Sequence, residues 1–231
     1  MVGIVFIFNR PITNYLIEDF HPVIFRTGEA KPKKAPYKWD DVKPINLFTV
    51  IKARLFHPEI QVVGGIYNEK LGLNVPISNG VDSTIFSLCA GTLHPDEQMG
   101  KGNYAIAAHN VPTSKDALFS PLYEKAKVGD VLYVTDFNKV YSYKIYSKST
   151  ISEHDQGILA PSKESKLTLI TCEDTNNSKR VVFQAKLTKT SSYNNISNST
   201  RAFLSEKYAV KDSRWDTIHL RMFNFSNKND H

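Results

Sequence analysis

The chain contains the stretch KLTLITCED at residues 166–174, followed by KRVVF at residues 179–183. From Leu167 to Thr171 the residues are aliphatic or β-branched and alternate between two faces, which is typical of a β-strand. The polar residues after them favour a loop, and Arg180 then opens a second strand that runs through Leu187. If these strands are antiparallel neighbours, the thiol of Cys172 and the guanidinium of Arg180 lie together at one end of a sheet.

A cysteine beside a fixed positive charge is a typical nucleophile, because the charge favours the thiolate. The alternative is that Cys172 is an inert core residue and that Arg180 is a solvated charge at the end of a strand. Cysteine is among the most buried residue types, so this stretch alone leaves both interpretations open.

The composition excludes several classes of protein. The chain has 231 residues, of which 41% are hydrophobic and 23% are charged, with a net charge of +6. A mildly basic chain suits an anionic surface such as phospholipid or wall polymer, and equally nucleic acid. However, no basic run is interleaved with aromatic residues, so no nucleic-acid partner is predicted. The two cysteines form no disulfide framework and no CxxC motif, and the sequence predicts no metal site and no cofactor.

Four parts of the chain differ in composition. Residues 1–25 begin with the apolar run VGIVFIF and continue with helical spacing of apolar residues. The run is too short to cross a bilayer, so it is either the end of a membrane anchor or the first turns of an ordinary helix. Residues 26–44 are rich in Lys and Pro and predict a linker, residues 45–195 predict the compact domain, and residues 196–231 form a C-terminal extension of unknown role.

Short strand signals separated by turns fill the compact domain. They predict a mostly-β fold of about eight short strands with one or two short helices, closed or nearly closed into a β-barrel. One helix is predicted at 118–126 and a long polar connection at 147–165, a length that is often functional. In the C-terminal extension, the pattern predicts a helix at 202–210 and a last strand at 217–225.

A cysteine nucleophile requires an acid–base partner. His109 is the best candidate, because it ends the apolar strand Tyr104–Ala108 just before a loop, whereas His94 and His154 lie within loops. Taken alone, a histidine at a strand end is more often an ordinary hydrogen-bonded residue than a catalytic one.

Taken together, these motifs resemble the sortase family. TLITC at 168–172, with an arginine eight residues later, matches the family's TLxTC signature and downstream arginine. GNYAIAAH at 102–109 matches the histidine segment, and LFSPL at 118–122 with VGD at 128–130 matches the short helix and turn after it. The segments GGIY at 64–67, LGLNVPI at 71–77 and AGTL at 90–93 fit the class A pattern. The resemblance covers about residues 45–190, and several motifs in the same order are more specific than any one of them.

The resemblance implies a fold and an activity. The fold is the eight-stranded sortase-type β-barrel, with an N-terminal helix whose apolar run is the stub of a membrane anchor. The activity is that of a cysteine transpeptidase of Gram-positive bacteria, with its catalytic domain outside the cell membrane. Such an enzyme cleaves an LPxTG-type sorting signal between Thr and Gly through a thioester. It then transfers the surface protein to an amine of the lipid-linked peptidoglycan precursor.

The resemblance also implies roles for individual residues. Cys172 is the nucleophile, His109 the general acid and base, and Arg180 a donor to the oxyanion or to the substrate backbone, with the amide of Glu173 as a second oxyanion donor. By family position, the substrate groove should contain Ala90, Ala107, Ile151, Ile158, Leu159, Thr171 and Glu173. For the apolar residues, simple core packing is the alternative.

Some positions depart from the family pattern. Ala108 precedes the histidine where the family usually has glycine, and Cys89 is expected to be a buried small hydrophobe. Asp96 and Glu97 lie in a loop that holds calcium in some members, but two acids are few ligands for an ion that takes six to eight oxygens. No strong calcium site is predicted, and weak calcium modulation is left open. Two rival functions remain, a hydrolytic cysteine protease of another fold and a non-catalytic cell-surface binding module.

Overall fold

A closed barrel of eight β-strands forms the centre of the molecule, with the strand order β2-β3-β4-β5-β8-β9-β7-β6. The computed structural model describes residues 2–26, 35–56, 60–152, 154–155, 157–173 and 179–211. The barrel strands are β2 (Val62–Asn68), β3 (Leu73–Ser78), β4 (Ala90–Thr92), β5 (Asn103–Ala107), β6 (Val131–Thr135), β7 (Lys139–Ser152), β8 (Lys166–Cys172) and β9 (Lys179–Ser192). The predicted eight-stranded, mostly-β barrel is therefore confirmed.

Short helices and a separate strand pair surround the barrel. The helices are α1 (Val2–Glu18), α2 (Leu47–Phe56), α3 (Ser83–Leu88), α4 (Ser120–Lys125) and α5 (Asn198–Ser205). Strands β1 (Val23–Phe25) and β10 (Ala209–Lys211) pair in parallel. In the part of the chain that the structure describes, no helix combines the length and the apolar character needed to cross a bilayer.

The alternation that predicts β8 from the sequence builds the barrel core. Leu167 and Leu169 are fully buried and lie opposite Ala185 and Phe183 of β9, which are also fully buried. Burying a Leu or Phe side chain contributes about 1.5–3 kcal/mol, so this face fixes the register of β8 against β9. The same register determines which residues meet at the end of the two strands.

Strands β7 and β9 are longer than the sequence predicts. Each has 14 residues, and they pair with one another along their whole length. The predicted connection at 147–165 therefore begins only after Ser152, and the second predicted strand runs on to Ser192. The ends of both strands are polar and largely exposed, so apolar alternation is absent there and hydrogen bonding to the partner strand sustains them.

Two predicted helices have different bounds. Helix α4 begins at Ser120 rather than 118, because Leu118 has a φ of +47°, outside the helical region. The predicted helix at 202–210 is instead α5 followed by strand β10, and α5 starts earlier because Ser197 caps it, accepting a hydrogen bond from the Thr200 amide at 3.1 Å. The strand predicted at 217–225 lies outside the described residues.

The N-terminal and C-terminal segments of the described chain contact one another and the main core. Ile17 of α1 is buried in the main core, and Arg54 of α2 forms a salt bridge of 3.0 Å with Asp19. From the other end of the chain, Lys207 donates to the carbonyl oxygen of Glu18 at 2.7 Å. The last turn of α1 is thus held by contacts to segments far away in sequence.

Candidate active site

The ends of β8 and β9 bring a thiol and a guanidinium side by side. Cys172 is the register partner of Arg180, and the next residue, Glu173, donates its amide to the carbonyl of Lys179 at 3.2 Å. In an antiparallel ladder hydrogen-bonded and non-bonded pairs alternate, so Cys172 and Arg180 form the non-bonded pair, whose Cα atoms lie only about 4.5 Å apart. Their side chains leave the sheet on the same face.

The backbone around His109 is fixed to β8 on one side and to the following loop on the other. The Ala108 amide donates to the Ile170 carbonyl at 3.2 Å, and the Thr171 hydroxyl donates to the Ala108 carbonyl at 2.9 Å. After the histidine, the Phe119 amide donates to the His109 carbonyl at 3.0 Å. Because Thr171 adjoins Cys172, these bonds set the histidine relative to the nucleophile.

The imidazole ring of His109 is packed edge-on against Phe86 of α3, with ring centroids 5.9 Å apart and an interplanar angle of 82°. Edge-to-face geometry is a favourable aromatic arrangement. This aromatic contact restricts the orientation of the ring, and the backbone hydrogen bonds fix the position of the His109 main chain.

A groove on the outer face of the barrel contains all three groups. Its volume is about 470 Å³, and Cys172, His109 and Arg180 line it together. Its other lining residues are mostly apolar, with some polar and charged groups: Trp39, Val42, Lys43, Pro44, Phe86, Leu93, His94, Ala107, Ala108, Ile151, Ser152, Asp155, Leu159, Ile170 and Thr171. A partly open, apolar groove ending at convergent polar groups is the usual form of a substrate site.

The structure brings four of the seven predicted substrate residues into this groove. They are Ala107, Ile151, Leu159 and Thr171. The other three, Ala90, Ile158 and Glu173, are not among its lining residues. Ala90 is fully buried within β4.

Glu173 is engaged outside the groove. Its amide donates to the Lys179 carbonyl within the β8–β9 ladder. Its carboxylate accepts a hydrogen bond from the Thr150 hydroxyl at 3.3 Å and lies 3.9 Å from the Lys179 ammonium. The predicted second oxyanion donor is therefore already used by the β8–β9 ladder.

A buried polar pair holds the connection that supplies Leu159. Thr168, within the TLITC motif, donates to the Asn103 side-chain oxygen at 2.7 Å. The Asn103 amide group donates in turn to the carbonyls of Ile158 and Ala160, both at 3.1 Å. The Ile158 backbone thus anchors the short 3-10 helix Gly157–Leu159 while the next side chain reaches the groove.

Sequence reasoning missed one wall of the groove. Trp39, Val42, Lys43 and Pro44 line it, although they lie within the predicted linker at 26–44. The available signal was a tryptophan and a valine within an otherwise Lys- and Pro-rich segment, since large apolar residues are uncommon in linkers. Phe86 was also missed, because nothing in its own short helix indicates a contact with His109.

Burial and charge act on His109 in the same direction. Desolvation of the ring and, next, the positive charge of Arg180 lower its pKa from 6.5 to about 4. Although the residue keeps some solvent exposure, a pKa this low leaves the His109 imidazole neutral at neutral pH, in the groove that the Cys172 thiol also lines. Neutral imidazole can accept the thiol proton, which makes it a general base for the first step.

The low pKa can be measured directly. NMR titration of the His109 ring should give a midpoint near pH 4, and Arg180→Gln should raise it, because one of its two causes is removed. The unfolded chain protonates His109 below about pH 6.5, whereas the folded protein does so only near pH 4. The free energy of unfolding should therefore decrease as pH falls from about 6.5 to 4, and His109→Asn should lack this part of the pH dependence. A His109 midpoint of 6 to 7 would contradict this description of the site.

The second cysteine, Cys89, and the loop acid Glu97 lie in other surroundings. Cys89 is fully buried, and burial raises the pKa of its thiol, as expected for an inert core cysteine. The Glu97 carboxylate accepts from the Ala105 amide at 3.3 Å, and burial raises its pKa to about 8. Glu97 is therefore turned toward β5, and its burial disfavours the charged carboxylate. Among the described residues, no group of three or more His, Cys, Asp or Glu side chains is arranged to hold a metal ion.

A thiol, an imidazole and a guanidinium that line one groove define a cysteine enzyme of the acyl-transfer type. A family model described as "Sortase domain" matches residues 66–188. The chain belongs to the sortase family and is a cysteine transpeptidase, as its motifs predict.

Individual relatives agree with the family match. The chain is 35% identical to sortase A of Streptococcus agalactiae over 220 residues, which are 90% of this chain and 89% of that protein. It is 30% identical to sortase A of Listeria monocytogenes over 198 residues, 82% of this chain and 88% of that one. The solved structure of the Listeria sortase A superposes with a TM-score of 0.57 at 31% identity, covering 62% of this chain and 97% of that chain.

Proposed function

We propose that this sortase cleaves an LPxTG-type sorting signal between Thr and Gly and transfers the acyl part to an amine of the lipid-linked peptidoglycan precursor. The observation that carries the proposal is the groove itself, a mostly apolar cavity that Cys172, His109 and Arg180 line together. The similarity to sortase A proteins over most of the chain supports the same substrate class.

In the first half-reaction, neutral His109 accepts the thiol proton and the Cys172 sulfur attacks the threonine carbonyl carbon. Arg180 donates hydrogen bonds to the oxyanion that forms, and its guanidinium is charged at any working pH. The C–N bond to glycine then breaks, and the imidazolium of His109 gives its proton to the departing amine. A thioester between threonine and Cys172 remains.

In the second half-reaction, the incoming amine attacks the thioester carbonyl. His109, neutral again, accepts the proton that the amine loses, and the C–S bond breaks as the new amide bond forms. The Cys172 thiolate recovers its proton from His109, which returns both groups to their resting state. Because the imidazole is neutral at rest, His109 begins each cycle able to accept a proton.

The connection after β7 is proposed to bind the Leu-Pro end of the signal. Leu159 from the 3-10 helix and Ile151 from the end of β7 provide apolar surface on that side of the groove. Leucine and proline side chains gain from such a surface at roughly 25 cal/mol per Å² of area removed from water.

The N-terminal region is proposed to tether the enzyme to the outer face of the cell membrane. Support comes from the apolar run at residues 2–8, which is the first part of α1. The catalytic domain would then meet both surface proteins and the lipid-linked acceptor at the membrane surface. The net charge of +6 favours binding to an anionic membrane surface.

The effect of an amine acceptor on the products and on the rate distinguishes acyl transfer from hydrolysis. Wild-type enzyme is incubated with an LPxTG peptide, with and without a glycine- or alanine-terminated amine, and the products are separated by liquid chromatography. The expected result is a new peptide joined through threonine to the amine, with faster release of the Gly fragment when the amine is present. A hydrolytic protease would give free threonine carboxylate at a rate that the amine does not change.

A further inference from the structure

Residues 35–44, here called the strap, run along one edge of the active-site groove. The Lys38 amide donates to the Val81 carbonyl at 2.8 Å, and the Val81 amide donates to the Pro36 carbonyl at 2.6 Å. Gly80 adjoins this bridge with a φ of +105°, and a Cβ there would collide with the Pro36 carbonyl. A residue without a side chain lets the strap backbone approach the barrel closely.

Side chains fix the strap at two further points. The Tyr37 hydroxyl donates to the His94 carbonyl at 2.8 Å and lies 3.2 Å from the Thr92 hydroxyl in β4. At the other end, Ser83 at the start of α3 donates to the Asp41 carbonyl and accepts from the Lys43 amide at 2.9 Å. The segment between these points is therefore tied to β4 and to α3, the helix that carries Phe86.

The strap presents apolar side chains to the groove without filling it. Trp39, Val42 and Pro44 line the cavity that contains Cys172, and about 470 Å³ of that cavity stays open beside them. Trp39 lies in a single 3-10 turn with 49% of its surface exposed. A half-exposed tryptophan on the wall of a peptide-sized groove is the type of residue that dominates peptide binding.

We propose that the strap is a substrate-contacting wall of the groove and that Trp39 is a specificity-determining residue. The peptide lies extended in the groove that the strap, Ile151 and Leu159 line together. Trp39 packs against an apolar side chain of the peptide. That the occupant is a sorting-signal peptide rests on the proposed function; the wall itself follows from the lining of the cavity.

Steady-state kinetics distinguish a strap that binds the substrate from a strap that blocks the groove. In Trp39→Ala, KM for the LPxTG peptide should rise about tenfold with kcat within about twofold, since truncating one aromatic anchor costs that order of binding. Trp39→Phe should recover most of the loss. The matched control is Phe48→Ala on α2, because Phe48 is 75% exposed and does not line the groove, so its KM should stay at the wild-type value.

Two outcomes for Trp39→Ala would overturn the proposal. One is an unchanged KM, and the other is a rise in kcat/KM, which would mean that the strap hinders substrate binding. Both leave the proposed function standing, because the wild-type enzyme still cleaves the peptide. Failure of the wild-type enzyme to cleave any LPxTG peptide would instead count against the proposed function.

Fluorescence tests the contact without catalysis. The chain has two tryptophans, Trp39 and Trp215, so Trp215→Phe in a Cys172→Ala background leaves Trp39 as the only reporter. Titration with an LPxTG peptide should shift the emission to shorter wavelength and saturate, at the same midpoint as the anisotropy of a labelled peptide. Saturating anisotropy with no change in Trp39 emission would overturn the contact.

Discussion

Replacing Cys172 with alanine is expected to lower kcat/KM for an LPxTG peptide by at least about a thousandfold, for cleavage and transfer alike. The reason is that both half-reactions pass through the thioester on this sulfur, and no other thiol lines the groove. The variant should still bind the peptide, because the groove walls are intact. Product formation is followed by liquid chromatography with and without an amine acceptor.

Cys89→Ala is the matched control for that loss. It also removes one thiol, but Cys89 is fully buried in the core and does not line the groove. Its activity should stay within about twofold of wild type, although the lost packing lowers stability. Substantial turnover by Cys172→Ala, or a thousandfold loss in Cys89→Ala, would refute the assignment of the nucleophile.

Arg180→Ala is expected to lower kcat by about a hundredfold to a thousandfold, the cost of removing one oxyanion donor. The effect should fall mainly on kcat rather than KM, because the oxyanion exists only along the reaction. Arg180→Lys keeps the charge but not the planar fork of donors, so it should recover only part of the rate. Single-turnover kinetics of thioester formation measure the affected step.

Lys179→Ala is the control for Arg180, as it removes a neighbouring positive charge whose side chain is 61% exposed. A rim charge of this kind is screened by solvent, and the expected change in kcat is about twofold or less. Equal losses in the two variants would mean that general positive charge, and not hydrogen bonding by Arg180, supports the reaction. A loss in Arg180→Ala confined to KM would make it a substrate-backbone ligand instead.

The central part of the fold could be predicted from local pattern. Alternating apolar residues at 167–171 define β8, because one face of that strand fills the barrel and the period of two is visible in sequence.

The TLITC motif also combines roles that the structure separates. Thr168 supports the connection through Asn103, Thr171 holds the strand before His109, and Cys172 lies in the groove.

Other parts of the site depend on contacts that sequence does not display. The polar ends of β7 and β9 are strands only because each pairs with the other, and neither has the alternation of a half-buried strand. Trp39 is far from Cys172 in sequence, and tertiary hydrogen bonds from Tyr37, Val81 and Ser83 place its segment beside the groove. The position of Glu173 directly after Cys172 predicts an oxyanion donor, whereas the register of the ladder pairs its amide with the Lys179 carbonyl.

Intact-protein mass spectrometry of the acyl-enzyme tests the central claim most directly. Wild-type enzyme is mixed with an LPxTG peptide, quenched with acid, and digested to locate any adduct. The expected result is a mass increase equal to the peptide fragment ending in threonine, joined as a thioester at Cys172 and discharged when an amine acceptor is added. Turnover of the peptide with no adduct on Cys172, or with an adduct on another residue, would contradict it.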